Sequence, residues 1–94
     1  MSKRDRYNIV KDILEIVYDT ETLYRNQMNQ TQVGYNANLT NSQSVKYLRG
    51  LANLGLLVLA DFKPFPYYEI KSKGWRCLQV FAEIEDDLRP VMFA

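Results

Sequence analysis

Histidine is absent from these 94 residues. The commonest general base and the commonest metal ligand are therefore missing. A single cysteine, Cys77, rules out a disulfide within the chain. Cys77 also has no histidine to activate it and falls in an amphipathic stretch, which reads as packing. The longest apolar run, about Leu54 to Ala60, is far too short to span a bilayer. The opening "MSKRDRYN" has no apolar stretch of the kind a signal peptide needs. With only 4 glycines and 3 prolines there is no phosphate-cradling glycine loop, and no nucleophile triad can be drawn. These absences exclude most enzyme chemistry. The expectation is a cytoplasmic protein that is not an enzyme and carries no cofactor and no metal.

One further absence is local. No Asp or Glu occurs from Thr22 to Ala60, while Arg25, Lys46 and Arg49 lie inside that stretch. The acids collect instead in "EIEDD", Glu83 to Asp87. Net charge is only +1, so bulk charge does not predict a nucleic-acid partner. Segregation of the two signs, however, can set up a one-sided field.

What is present is an ordinary globular composition, 47% hydrophobic and 24% charged, of a length that suits one domain over residues 1–94. Ile9, Ile13, Ile16 and Val17 recur at helical spacing and predict a first helix from about Lys3 to Tyr18, with Ser2 and Asp5 as its capping box. "DTETLYRNQ" reads as an irregular connection. A short second helix is predicted from about Asn29 to Ala37, capped by Asn29 with Gln32 and ended by Asn38.

"LTNSQSVKYLRGLANLGLL" carries the strongest local signals. Thr40 and Gln43 form a T-x-x-Q capping box, Val45, Leu48, Leu51 and Ala52 make an apolar stripe with Ser44 at its upper edge, and Gly55 with Leu56 ends the helix. The predicted helix covers about 40–54. Two helices joined by a turn as short as "NANLT" cross steeply, which is the helix-turn-helix arrangement. Leu57–Asp61 and Tyr67–Lys71 then read as strands around the proline-bearing loop "FKPFP", a wing over about 57–71. A last helix is expected over about 72–88, with Leu78, Phe81, Ile84 and Leu88 on one face and Pro90 as its stop. The sum is an α+β, mostly α fold: a winged helix-turn-helix with a three-helix core, a β-hairpin wing and a C-terminal helix.

"TQVGYNANLTNSQSVKYLRGLANLGLL" also resembles the core of a family of small archaeal winged-helix proteins. The matching residues are Thr31, Tyr35, Ala37, Asn38, Leu39, Tyr47, Leu48, Leu51, Gly55 and Leu56. "YEIKSKGWRCLQVFAEIEDDL" is similar to that family's wing exit and final helix, through Ser72, Lys73, Gly74 and Leu78. Gly34 and Ser44 stand where the family has larger apolar residues. The resemblance implies a transcription regulator or a chromatin-associated DNA-binding protein, and a homodimer joined through the final helix, whose apolar face makes Leu78, Phe81, Ile84 and Leu88 the dimer candidates.

The helix over 40–54 accordingly carries the candidate site. A carboxylate on a helix docked against DNA would be desolvated beside phosphates, so its absence there fits duplex DNA as the partner. Ser42, Gln43 and Lys46 are the candidates to reach base edges, Gln pairing bidentately with adenine. Arg25, Tyr47, Arg49, Asn53 and Lys63 are the candidates for the backbone. Gly50 costs about 1 kcal/mol relative to Ala in mid-helix, and close approach of the backbone to a surface is one explanation. In the wing, Phe62 and Phe65 read either as minor-groove wedges or as aromatics packed on their own domain. The acids of "EIEDD" oppose the dipole of the last helix at its predicted end, costing a few tenths of a kcal/mol each. The alternative function is a winged-helix protein–protein interaction module without direct DNA binding.

Overall fold

The computed structural model describes residues 5–22, 28–60 and 67–92. Within them the chain forms α1 (Arg6–Thr22), α2 (Gln30–Asn36), α3 (Asn41–Asn53), β1 (Leu57–Ala60), β2 (Tyr67–Ile70) and α4 (Ser72–Met92). The fold is that of a winged helix, four helices with a two-stranded antiparallel hairpin.

Three boundaries differ from the sequence expectation. The described part of α1 starts at Arg6, and Asp5 is its cap: Asp5 Oδ1 accepts the backbone N–H of Asn8 at 2.8 Å. Ser2 and Lys3 lie outside the described residues. At its other end α1 runs on through Asp19–Thr22, which had read as irregular. Thr20 is buried there against the core, so packing holds a turn that propensity alone would not predict. Finally, α4 passes through Pro90 to Met92 instead of stopping before it. Proline lacks the N–H that would bond to Asp86 O, but its φ suits a helix, and only two further residues follow in helical geometry. The longer helix places Glu83–Asp87 well before the end, with Arg89 in the last turn, so the expected dipole penalty does not apply.

The two short helices have the predicted caps. Asn29 and Gln32 form a reciprocal capping box on α2, and Thr40 and Gln43 form one on α3. Both helices end in the same way. Asn38 at φ 62° closes α2, with Leu39 N donating to Gly34 O at 2.8 Å. Gly55 at φ 79° closes α3, with Leu56 N donating to Leu51 O at 2.9 Å. A left-handed residue after the helix turns the chain back and satisfies its last carbonyls. The reversal at Asn38 turns the chain from α2 into α3, and the one at Gly55 turns it from α3 into β1.

The core is one cluster: Ile9, Ile13, Leu14 and Val17 of α1, Val33 of α2 with Ala37 after it, Leu48 and Leu51 of α3, Leu57 of β1 and Tyr68 of β2. In the hairpin Leu57 pairs with Ile70 and Ala60 with Tyr67. Met28 adds a single bridge on the other edge of β2, where Tyr68 N donates to Met28 O at 2.9 Å. The predicted strand end Asp61 and the wing-tip residues Phe62, Lys63 and Phe65 lie outside the described residues.

A tight junction joins α3, the hairpin and α4. Lys71 N donates to Leu56 O at 3.0 Å, and Lys73 Nζ donates to Leu54 O, the C-cap carbonyl of α3, at 2.8 Å. A Cβ on Gly74 would lie 2.3 Å from Leu56 O, so only glycine lets α4 start this close to the end of α3. From there α4 packs on α1, and Lys11 of α1 pairs with Glu85.

Candidate nucleic-acid interface

The inner side of α3 is set by Ser44, Leu48 and Leu51, all buried. At 100° per residue this leaves Ser42, Lys46, Arg49 and Asn53 on the opposite side, and all four are exposed. Gln43 is exposed beside them, Gly50 is intermediate, and Tyr47 packs part of its ring against the core. Arg49 is near enough to β2 for its charge to act on Tyr68. Burial raises the Tyr68 phenol above its ordinary value, and the positive charge of Arg49 draws it part of the way back. Lys46 and Arg49 are thus two exposed cations on a helix pair whose sequence holds no carboxylate. Arg25 and Lys63 lie outside the described residues.

Gln43 has two candidate duties that compete. Its Oε1 accepts the backbone N–H of Thr40 at 3.0 Å, and its own N–H donates to Thr40 Oγ1 at 3.2 Å. The oxygen an adenine amino group would need is therefore committed to the cap. Ser42, one residue earlier and exposed, carries no such duty in the cap.

Gly50 also acquires a clearer meaning. A Cβ built there meets nothing within 4 Å, so no packing inside the chain requires glycine at this position. Gly34 is the opposite case. A Cβ on it would stand 2.1 Å from Ser44 Oγ and 3.1 Å from Ser44 Cβ. The two small residues let α2 and α3 touch almost backbone to backbone, and Ser44 Oγ satisfies itself by donating to Thr40 O at 2.9 Å.

Beside that contact the surface of the two helices is indented. A hollow of about 210 Å³ opens there, lined by Thr31, Gly34 and Tyr35 of α2 and by Leu39, Asn41 and Ser44. Tyr35 is 85% exposed. The sequence reading did not single out this feature for a function. Thr31 and Tyr35 are four apart, on one face of a helix, and that spacing was its only visible sign.

At the far end, α4 is exposed from Ala82 to Val91. Of the four residues read as a dimer face, Leu78 turns inward and packs on the core, Phe81 is intermediate, and Ile84 and Leu88 stand about half exposed. Val80 and Val91 extend that outer stripe and were missed. Cys77 packs against the core and is partly buried. Of the acids, Glu85 pairs with Lys11, and Asp86 accepts from Arg89 at 2.9 Å.

Comparison with known proteins places this architecture. Residues 3–88 match the family model described as winged helix-turn-helix, and the chain belongs to that family. Among solved structures, two variants of MepR from S. aureus superpose with TM-scores of 0.79 and 0.78, each at 16% identity over 92% of this chain. The chain spans 62% and 63% of those two MepR chains. AF1382 from Archaeoglobus fulgidus gives a TM-score of 0.69 at 14% identity, covering 89% of this chain and 90% of that one. At these identities the likeness is one of fold. No curated protein matches the sequence. Among the described residues no helix is long and apolar enough to cross a membrane.

Proposed function

We propose that this chain binds duplex DNA, with α3 as the docking helix, and acts as a transcription regulator or a chromosome-organising protein. The observation that carries the reading is the outer face of α3: Ser42, Lys46, Arg49 and Asn53 exposed together on a helix pair free of carboxylates. Such a face can approach phosphates without desolvating a like charge. Lys46 is the point charge for phosphate or a guanine edge, Arg49 and Asn53 serve the backbone, and Ser42 is the better placed base reader. Gln43 reads a base only by leaving its cap. Arg25, Tyr47 and Lys63 complete the proposed backbone set. Residues 1–94 act as a single winged-helix domain with no catalytic duty, in the cytoplasm, and the sequence motifs favour an archaeal source.

The working unit in this proposal is a homodimer. Val80, Ile84, Leu88 and Val91 recur at intervals of four, four and three on α4, each 46% exposed or more. A second copy's α4 would cover that stripe, as a coiled-coil seam does. The same stripe also favours the second reading, a protein-interaction module, if its occupant is another protein.

The deciding experiment is fluorescence anisotropy of labelled genomic and random duplexes over a series of salt concentrations. DNA binding through α3 requires affinity that falls with salt and a shallower slope for Lys46→Ala. Absence of binding at low salt would transfer the reading to protein contact.

A further inference from the structure

We propose that the outer half of α4, Ala82 to Val91, holds its helix only when a second copy of the chain covers it, so that dimerisation and the folding of this segment are one event. The proposal rests on the homodimer reading above and adds to it a folding step.

The two halves of α4 are held very differently. In the inner half Gly74 is buried against Leu56 O, Cys77 and Leu78 pack on the core, and Phe81 is half-buried. From Ala82 to Val91 every residue is exposed, ten in succession. One tie crosses from this segment to another element among the described residues, the Lys11–Glu85 pair to α1. Helices in proteins draw most of their stability from packing of an apolar face, and segments with few buried contacts are the first to open. That packing is missing here, because Ile84, Leu88 and Val91 stand 49%, 46% and 80% exposed.

Local chemistry does not make up the difference. Glu83 and Asp87 are like charges four apart, which oppose one another on a helix surface. Pro90 has no N–H for Asp86 O, and its ring crowds the turn before it. The ion pair within the segment, Arg89 with Asp86, is exposed on both sides and contributes little. A single chain therefore has little to hold roughly the last three turns of α4. The inner half keeps the segment ready all the same, because its packed turns have already met the cost of nucleation. A second copy adds the missing burial by covering Val80, Ile84, Leu88 and Val91 together. Ordering the segment consumes part of the association energy, which keeps the dimer reversible. Two chains on neighbouring sites of one duplex meet at high effective concentration, and the segment then folds between them.

Hydrogen–deuterium exchange read by mass spectrometry tests this over a concentration series, with light scattering giving the oligomeric state at each point. Ile84→Glu supplies the monomer where dilution does not reach it. Backbone amides from Ala82 to Val91 should exchange at nearly the unprotected rate in the monomer and about tenfold or more slowly in the dimer. Those from Trp75 to Phe81 should stay protected in both. Pro90→Ala should tighten the dimer about tenfold, because less ordering remains to be done on association. Protection of the outer segment in the monomer would overturn the coupling and leave the homodimer standing. A Pro90→Ala variant that pairs no more tightly than the parent would do the same. A dimer whose outer segment stays unprotected would overturn both the coupling and the α4 interface. A chain that is monomeric at every concentration would remove the homodimer, and the coupling with it.

Discussion

Replacing Gly50 with alanine should push stability and DNA affinity in opposite directions. The residue lies in the last third of α3, in the middle of helical geometry, where glycine costs about 1 kcal/mol relative to alanine. The methyl group would meet no heavy atom within 4 Å, so nothing inside the chain offsets the gain. For a domain of 60–100 residues, 1 kcal/mol corresponds to a rise of about 4–8 °C in Tm. Circular dichroism melts at fixed protein concentration measure it, the fixed concentration being needed because association raises apparent stability. The affinity arm has the other sign. If glycine lets the helix backbone approach the duplex, the added methyl overpacks that contact and binding weakens by about tenfold or more. A higher Tm with unchanged affinity would show that the duplex does not approach Gly50. An unchanged or lower Tm would refute the argument at its root, because the open space beside the residue would then be filled.

Four other outcomes are expected. Gly34→Ala should destabilise by about 1–3 kcal/mol, the usual cost of overpacking, and adding Ser44→Ala should recover part of it by removing the oxygen 2.1 Å from the new carbon; urea midpoints of the single and double variants decide this. Gln43→Ala should lower stability by about 1 kcal/mol through loss of the cap, so its affinity must be read well below its melting point; a chromatin-type protein loses little affinity from this change and much from Lys46→Ala. Ile84→Glu should convert a dimer to monomer in light scattering, while Phe81→Glu should also cost stability; a monomeric parent would overturn the dimer proposal. Lys11 is held above its ordinary value chiefly by its hydrogen bond to Glu85. Its contribution to stability is therefore full below the usual lysine range and lost as pH rises through the folded-state value, so urea midpoints should fall across that alkaline window in the parent and stay flatter in Lys11→Met.

Which features the sequence disclosed follows from the range over which each is determined. The capping boxes Asn29–Gln32 and Thr40–Gln43 involve residues three apart, and the reversals at Asn38 and Gly55 need one left-handed residue each. These local rules read off the chain correctly and were enough to define the helix-turn-helix. The ends of α1 and α4 depend on distant packing. Thr20 is buried by the rest of the fold, and no local rule predicts that helix persists to Thr22. Pro90 is compatible with helix once the preceding turns are in place, so a proline rule taken alone stopped α4 early. At the site, the exposed face of α3 was legible from a 3.6-residue period. Both candidate duties of Gln43 were legible too, the cap from its spacing to Thr40 and the base contact from its place on the helix, but the hollow beside Tyr35 was not. That hollow depends on the separation between two helices, which a glycine–serine crossing sets and local rules do not.

The carbonyl of Leu56 has a mechanical meaning. It receives Lys71 N at 3.0 Å and leaves no room for a side chain at Gly74, while Lys73 holds the carbonyl two residues earlier. The end of α3 and the root of α4 are thereby held in close contact. A rod of 21 residues, about 32 Å long, is fixed at that contact. Moving the outer tip of a straight rod of that length sideways by about 1 Å turns it by about 2°. Along its length that lever bears on α1, where the Lys11–Glu85 pair ties the two helices together.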